Sequence, residues 1–209
     1  KDDGTSGDAI SGDGVYAATI PGQATGAMVA FYVEATDSGS PTATTRFPSD
    51  APTRECLVYF GTTQPSGNFP FYNLWITQAT ANKWSTREKN SNKALDGTFA
   101  YNNTRVVYNI GTLYSGSPWH TPGYNGPLGN SCDYVAQLPS DEPVLGATDF
   151  VLATVGNLGN DNTAQREQLA FWMLSELGAP TNYRRYVHVY LNGQKRSFIY
   201  EDSQQPNSD

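Results

Sequence analysis

The sequence YVHVYLNGQKRSFIYED, at residues 186–202, says more about the fold than any other stretch of the chain. Aromatic and β-branched side chains dominate residues 186–191 and 197–200, a composition typical of strands. Asn192 and Gly193 lie between them and form the dipeptide that most strongly favours a two-residue hairpin turn. The stretch therefore predicts an antiparallel hairpin.

Strand signals also dominate the chain upstream of this hairpin. Gly, Pro, Asn and Asp residues punctuate the apolar runs, as turns between strands require. The predicted strands span residues 14–20, 28–36, 56–60, 71–76, 97–101, 105–114, 134–138 and 150–153. The predicted fold class is therefore mainly β with one clear helix, an α+β arrangement.

The clear helix lies in the C-terminal half of the chain. Asn162 is its predicted N-cap, with Gln165 three residues later at the capping-box spacing, and Gly178 ends it. One apolar stripe runs along this helix and consists of Leu169, Trp172, Met173 and Leu177. A second, shorter helix is predicted to begin after Thr77 and to end near Lys83.

Residues 1–54 are predicted to form a unit of their own. The strands at 14–20 and 28–36 are typical of an antiparallel sandwich, but a complete immunoglobulin-like domain needs roughly 100 residues. We interpret this segment as the terminal strands of such a module, followed by a Ser-, Thr- and Pro-rich linker at 38–54. Residues 55–209 then form the second domain.

The charge of the chain narrows the classes of partner. Its net charge is -7 and its pI about 4.7, which argues against non-specific nucleic-acid binding, since that requires a basic surface. No run of roughly 18 apolar residues occurs, so the sequence predicts no membrane span. The chain begins without Met and without a basic-then-apolar leader, and we interpret it as a portion of a longer protein.

An acidic, glycine-rich run near the start of the chain, DDGTSGDAISGDGVY at residues 2–16, is the first candidate site. Calcium takes six to eight oxygen ligands, which carboxylates and loop carbonyls can supply. The predicted metal ligands are Asp2, Asp3, Asp8 and Asp13. The run lacks the bidentate Glu of an EF-hand loop, and the alternative interpretation is a solvated, turn-rich acidic loop.

Two cysteines, Cys56 and Cys132, lie far apart in the chain without a CxxC motif, so a thiolate metal site is not expected. In an extracellular protein they would form a single disulfide, which is our prediction. The alternative is a pair of unpaired thiols in the core.

Three segments in a fixed order resemble the CotH-type kinase family, secreted and spore-coat proteins with an atypical protein-kinase fold. These segments are NIGTLYSGSPW at 109–119, QREQLAFWMLSELGAP at 165–180 and the hairpin stretch at 186–202. The resemblance implies that residues 55–209 form an incomplete kinase-like small lobe of antiparallel sheet plus helix. It also implies that residues 1–54 belong to a module that precedes this lobe in large bacterial surface proteins.

The resemblance assigns Glu167 to the helix glutamate that holds the phosphate-binding lysine of a kinase. No lysine occurs between Lys93 and Lys195, and the large lobe with its metal-binding aspartates is not part of the chain. We therefore do not expect this chain to catalyse phosphoryl transfer. The alternative is the small lobe of an active secreted kinase that uses ATP and magnesium together with an absent large lobe.

The function predicted from these observations is that of an extracellular structural or interaction module at the cell surface. Calcium would stiffen its N-terminal loop, and its kinase-like lobe would be degenerate. Incomplete sheets leave open strand edges, which favour self-association or binding to other surface proteins.

Overall fold

The computed structural model describes residues 1–5, 7–62, 64–116, 124–129, 132–156 and 161–204. The described residues form mostly strands, with two helices, α1 (Gln78–Thr86) and α2 (Arg166–Glu176). The strands are β1 (Met28–Phe31), β2 (Val33–Thr36), β3 (Thr44–Phe47), β4 (Cys56–Tyr59), β5 (Phe71–Trp75), β6 (Leu95–Tyr101), β7 (Arg105–Tyr114), β8 (Tyr134–Gln137), β9 (Asp149–Thr154), β10 (Arg184–Leu191) and β11 (Gln194–Ser203).

Seven of these strands, β5 to β11, form a closed barrel in the order β10-β11-β9-β8-β7-β6-β5. Neighbouring strands are antiparallel except for β10 and β5, which pair in parallel and close the ring. Apolar and aromatic side chains fill the interior. Its largest fully buried members include Tyr72, Leu74, Phe99, Ile110, Tyr134, Leu152 and Tyr200.

The predicted C-terminal hairpin is confirmed as β10 and β11, joined across Asn192 and Gly193. Both turn residues have positive φ, 49° and 76°, which is the type I′ geometry that an Asn-Gly dipeptide favours. The Asn192 side chain also clamps the parallel seam. Its amide oxygen accepts from the Ile76 nitrogen and its amide nitrogen donates to the Ile76 carbonyl, each at 2.9 Å.

The closed barrel corrects the predicted fold class. The chain is rich in β structure as expected, but residues 55–209 do not form an open kinase-like small lobe of sheet plus helix. The parallel pairing of β10 with β5 joins residues such as Leu191 and Leu74, which lie more than 100 positions apart. No local pattern signals such a pairing, whereas an open hairpin follows from the turn alone.

The N-terminal segment also differs from the predicted sandwich. The predicted strand at 14–20 is absent, and the predicted strand at 28–36 is interrupted at Tyr32, so that it forms β1 and β2. Strand β1 pairs with β4, and β2 pairs with β3. Leu57 of β4 packs against Trp75 and Ala100 on the outside of the barrel. The predicted boundary after residue 54 thus falls just before a strand that joins both parts.

The two helices differ in how they are anchored. Thr77 caps helix α1, as predicted, because its hydroxyl oxygen accepts a hydrogen bond from the Thr80 nitrogen at 3.0 Å. The helix buries Ala81 and Trp84. Helix α2 begins later than predicted, and Asn162 is not its cap. The N-cap is Gln165, whose side chain makes no capping hydrogen bond, and the Asp161 carboxylate accepts from the Arg166 nitrogen at 2.8 Å.

Candidate functional site

The N-terminal segment closes on itself into a loop. The Lys1 nitrogen donates to the Ala17 carbonyl at 2.6 Å, and the Ala17 nitrogen donates back to the Lys1 carbonyl at 2.9 Å. These two bonds join the ends of the stretch in which the sequence predicts a calcium site.

Three of the four predicted metal ligands meet inside this acidic loop. Asp2, Asp8 and Asp13 each offer one carboxylate oxygen, and these oxygens all lie within 4.8 Å of one another. Asp8 is buried, with 7% of its surface exposed, while Asp2 is half-buried and Asp13 exposed. Such a group of hard oxygen atoms is the donor set that calcium or magnesium would bind.

Asp3, the fourth predicted ligand, does not join this group. Its carboxylate accepts from the Thr5 nitrogen at 3.0 Å and from the Thr5 hydroxyl at 2.6 Å. These bonds stabilise a local turn and lower the pKa of the Asp3 carboxyl.

Backbone N–H groups hold the three clustered carboxylates in place. Asp2 accepts from the nitrogens of Gly12 and Gly14, and both glycines have positive φ, 77° and 84°, a conformation that other residues rarely adopt. Asp8 accepts from the Gly4 nitrogen at 2.7 Å, the main reason why its pKa is lowered. A carboxylate oxygen has two lone pairs, so each can accept an N–H and still bind a cation.

Glu167 lies on the first turn of α2, where it is exposed. Its carboxylate forms an ion pair at 2.6 Å with Arg184, and Arg184 also pairs with Glu201 at 2.5 Å. Burial raises the pKa of the Glu201 carboxyl, although Arg184 opposes that shift. Glu167 therefore has an arginine of β10 as its partner. It attaches α2 to the barrel.

A second polar cluster at the same end of the barrel was not predicted from the sequence. The Tyr72 hydroxyl donates to the Asp202 carboxylate at 2.5 Å, and Arg185 donates to that carboxylate at 3.1 Å and also to the Tyr72 hydroxyl. Burial raises the pKa of both Tyr72 and Asp202. The sequence feature that could have indicated this cluster is a pair of arginines at the start of β10 and a pair of acids at the end of β11. Such charges are unusual inside barrel strands.

This cluster lies at one wall of a cleft of about 460 Å³. The polar lining consists of Thr148, Asp149, Tyr183, Arg185, Asp202 and Gln204. Because the guanidinium already binds Asp202, it offers little uncompensated positive charge to a ligand.

The two cysteines do not form the predicted disulfide. Both are free and buried, Cys56 in β4 and Cys132 in the barrel interior. Burial raises the pKa of the Cys56 thiol to about 11 and raises that of Cys132 as well, so both remain protonated thiols at neutral pH.

A comparison of the chain with protein-family models and with curated proteins finds no match. Family membership therefore stays a prediction that rests on the three segments quoted above. Among the described residues, neither helix has the length and apolar character that crossing a membrane demands.

Proposed function

We propose that this protein is an extracellular interaction module whose N-terminal loop binds calcium. The observation that supports the proposal is the convergence of the Asp2, Asp8 and Asp13 carboxylates within 4.8 Å. The bound ion would hold residues 1–17 in one conformation and so stabilise a stretch in which Asp8 is the one buried residue among those described.

Electrostatics favours a cation in this loop. The lowered pKa of Asp8 keeps its carboxylate ionised at neutral pH. Within the described residues, no arginine or lysine side chain forms an ion pair with any of the three aspartates. Three neighbouring carboxylates repel one another unless a counter-ion lies between them.

The composition of the site favours the extracellular space. Three carboxylates in a short loop resemble the weaker class of calcium sites, with dissociation constants on the order of 10⁻⁴ to 10⁻³ M. Such a site fills at the calcium concentration outside cells and stays empty at the submicromolar concentration inside them.

Calcium titration of two matched variants tests the proposal. Asp13→Asn removes one clustered carboxylate, and Asp3→Asn removes a charge of the same loop outside the cluster. We expect calorimetry to show calcium binding in the parent and in Asp3→Asn, and at least about tenfold weaker binding in Asp13→Asn. Absence of calcium heat in the parent, or equal loss in both variants, would contradict the proposal.

Among the described strands, open edges occur in the two-stranded sheets β1–β4 and β2–β3, whereas the barrel is closed. The hairpin β10–β11 offers none, because β11 pairs with β9 and β10 with β5. Sheet β2–β3 has two strands, and all eight of its residues are exposed. One of its faces carries Val33 opposite Phe47, and the other carries the ion pair of Glu34 with Arg46.

We therefore assign strand addition to sheet β2–β3, with another copy or a surface protein as partner. Phe47→Lys places a charge on the apolar face, a substitution that discourages edge pairing. Light scattering in calcium should show less association for this variant than for Arg46→Lys, which preserves the charge. A parent that is monomeric at high concentration would contradict self-association through this sheet.

A further inference from the structure

The outer face of helix α2 is apolar and uncovered. No residue of this helix is buried. The exposed fraction is 54% for Leu169, 59% for Trp172, 52% for Met173 and 81% for Leu177. The stripe that the sequence predicted is therefore present but does not face the core.

The opposite face of α2 attaches the helix to the barrel. The Phe171 ring lies 3.9 Å from the Arg184 guanidinium, and Gln168 donates to the Glu201 carboxylate. Since a helix turns by about 100° per residue, Gln168 and Phe171 lie on one side, and Leu169 and Met173 project away from it. The helix is thus tethered by polar contacts and presents its apolar side outward.

In this arrangement α2 lacks the apolar burial that normally stabilises a helix. An isolated helix of 11 residues is marginal in water, and helices in proteins obtain most of their stability by burying an apolar face. A row of exposed large apolar side chains on a rigid element is typical of an interaction surface.

The charges at the two ends of the stripe indicate the partner. Arg166 is the first residue of α2 and Glu176 the last, so each charge lies at the helix end where the macrodipole disfavours it. Arg166, Leu169, Met173 and Glu176 follow each other at spacings of three, four and three, the pattern of a helix–helix seam. Arg166 forms a long ion pair of 3.8 Å with Asp161, and 78% of its side chain is exposed, so its guanidinium is also accessible to a partner. The seam therefore has an apolar centre, an arginine at its start and a glutamate at its end.

A second copy of the same helix, related by a two-fold axis, complements this seam. An antiparallel mate places Leu169 opposite the partner copy's Met173, and Arg166 opposite its Glu176, twice in the same interface. Each charge then also lies at the favourable end of the facing helix dipole. We propose that α2 is a self-association surface, on which two copies of this chain pair through antiparallel α2 helices.

The size of the surface sets the strength of the pair. Two 11-residue helices that meet along one seam bury less than the roughly 1,200 Å² of a standard interface, which places the complex in the weak or transient class. The pairing depends neither on calcium nor on sheet β2–β3, so it can be tested separately from the proposed function.

Charge reversal offers a test that does not depend on destabilising the fold. Arg166→Glu and Glu176→Arg each place a charge where the helix dipole favours it. Arg166→Glu also gives up the 3.8 Å ion pair with Asp161, so a thermal melt of each variant accompanies the binding measurement. Each variant alone would bring like charges together at both ends of the seam. Mixing the two variants would restore both attractive pairs.

In chelator, sedimentation velocity of the parent at rising concentration should show a shift from the 22.7 kDa monomer towards the dimer. Each single variant should dimerise at least about tenfold more weakly, and the equimolar mixture should recover the parent's affinity, since tenfold corresponds to about 1.4 kcal/mol. A strictly monomeric parent would overturn the proposal and leave the face to another partner. Dimers of unchanged affinity in the single variants, or no recovery in the mixture, would overturn it as well.

Discussion

The barrel and the N-terminal segment are organised by different forces. Strands β5–β11 form a ring without free edges around an interior of buried aromatic and aliphatic side chains. Residues 1–55 are mostly exposed, and their order depends on carboxylates that accept backbone N–H groups, as Asp2, Asp8 and Asp37 do. Apolar burial makes the barrel self-sufficient, whereas the acidic loop concentrates negative charge and gains from a cation.

Truncating one aromatic residue in each region should give the largest contrast. Phe99 is fully buried, stacks on Phe150 at 5.1 Å and contacts Tyr72. Phe99→Ala should lower the free energy of unfolding by about 3–5 kcal/mol, because it leaves a cavity in the barrel. Phe47→Ala, at a half-exposed position of β3, should cost about 0.5 kcal/mol. Urea denaturation measures both, and similar losses would contradict the contrast.

Removing the cation from one ion pair in each region should give the next largest difference in the free energy of unfolding. Arg185→Met leaves the buried Asp202 carboxylate without its cation and should cost about 3 kcal/mol at pH 7. Arg46→Met breaks the exposed pair with Glu34 and should leave the free energy of unfolding nearly unchanged, because solvent screens that pair.

Acidic pH should reduce the cost of Arg185→Met. Burial already raises the pKa of Asp202, and loss of the guanidinium raises it further. As pH falls through this raised pKa, the folded protein takes up the proton before the unfolded chain does, so the variant regains stability. Thermal melts at pH 7 and pH 4 measure this; an unchanged difference from the parent would show that Asp202 does not titrate in this range.

Neutralising one aspartate in each region should produce smaller effects on the Tm, of opposite sign in the two regions. Burial raises the pKa of Asp133, whereas backbone N–H groups of Ala43 and Gly39 lower that of Asp37. Asp133→Asn keeps an acceptor for Thr154 and removes a buried charge, so it should raise the Tm at pH 7 and lose this advantage as pH falls towards 3.8.

Asp37→Asn should behave in the opposite way. It should lower the Tm at pH 7, and the difference should shrink as pH falls from 3.8 through the lowered pKa of Asp37 in the folded state. Melting curves of the parent and both variants from pH 7 to pH 3 provide the measurement. Shifts of the same sign in both variants would contradict the assignment of opposite environments.

Thiol labelling should show the smallest difference between the regions. Without reductant, alkylation of the unfolded chain should add two labels, since Cys56 and Cys132 are both free. In the folded protein Cys56 should react first, because its two-stranded sheet opens more readily than a closed barrel. An unlabelled mass would show that the two cysteines form a disulfide. Equal labelling rates of the two cysteines in the folded protein would contradict the predicted difference in local stability.

Local signals predicted individual elements well but their partners poorly. The hairpin at Asn192-Gly193 and the Thr77 cap depend on neighbouring residues and are confirmed. The register beyond the turn was not predictable, because an irregularity between Val187 and Val189 shifts the pairing along β11. That shift places Arg185 opposite Asp202 and thereby creates the buried cluster that sequence reasoning missed.

The apolar stripe of α2 shows what a correct sequence pattern leaves undetermined. Periodicity identifies which residues share a helix face, but not whether that face meets the core or solvent. Leu169 and Met173 share a face as predicted, yet Gln168 and Phe171 on the other side make the contacts with the barrel. The decisive interactions come from Arg184 and Glu201, which follow in the chain after the helix.

The sequence by itself predicted the β-rich character, the tight turns and the acidic loop as a candidate cation site, because these features depend on residues within a few positions of each other. Closure of the barrel was decided only in three dimensions, where the parallel seam joins His188–Leu191 to Phe71–Leu74 across more than 100 residues. The same applies to the aspartates. Backbone bonds across the loop bring Asp2, Asp8 and Asp13 together and leave Asp3 aside, although all four look equivalent in the sequence.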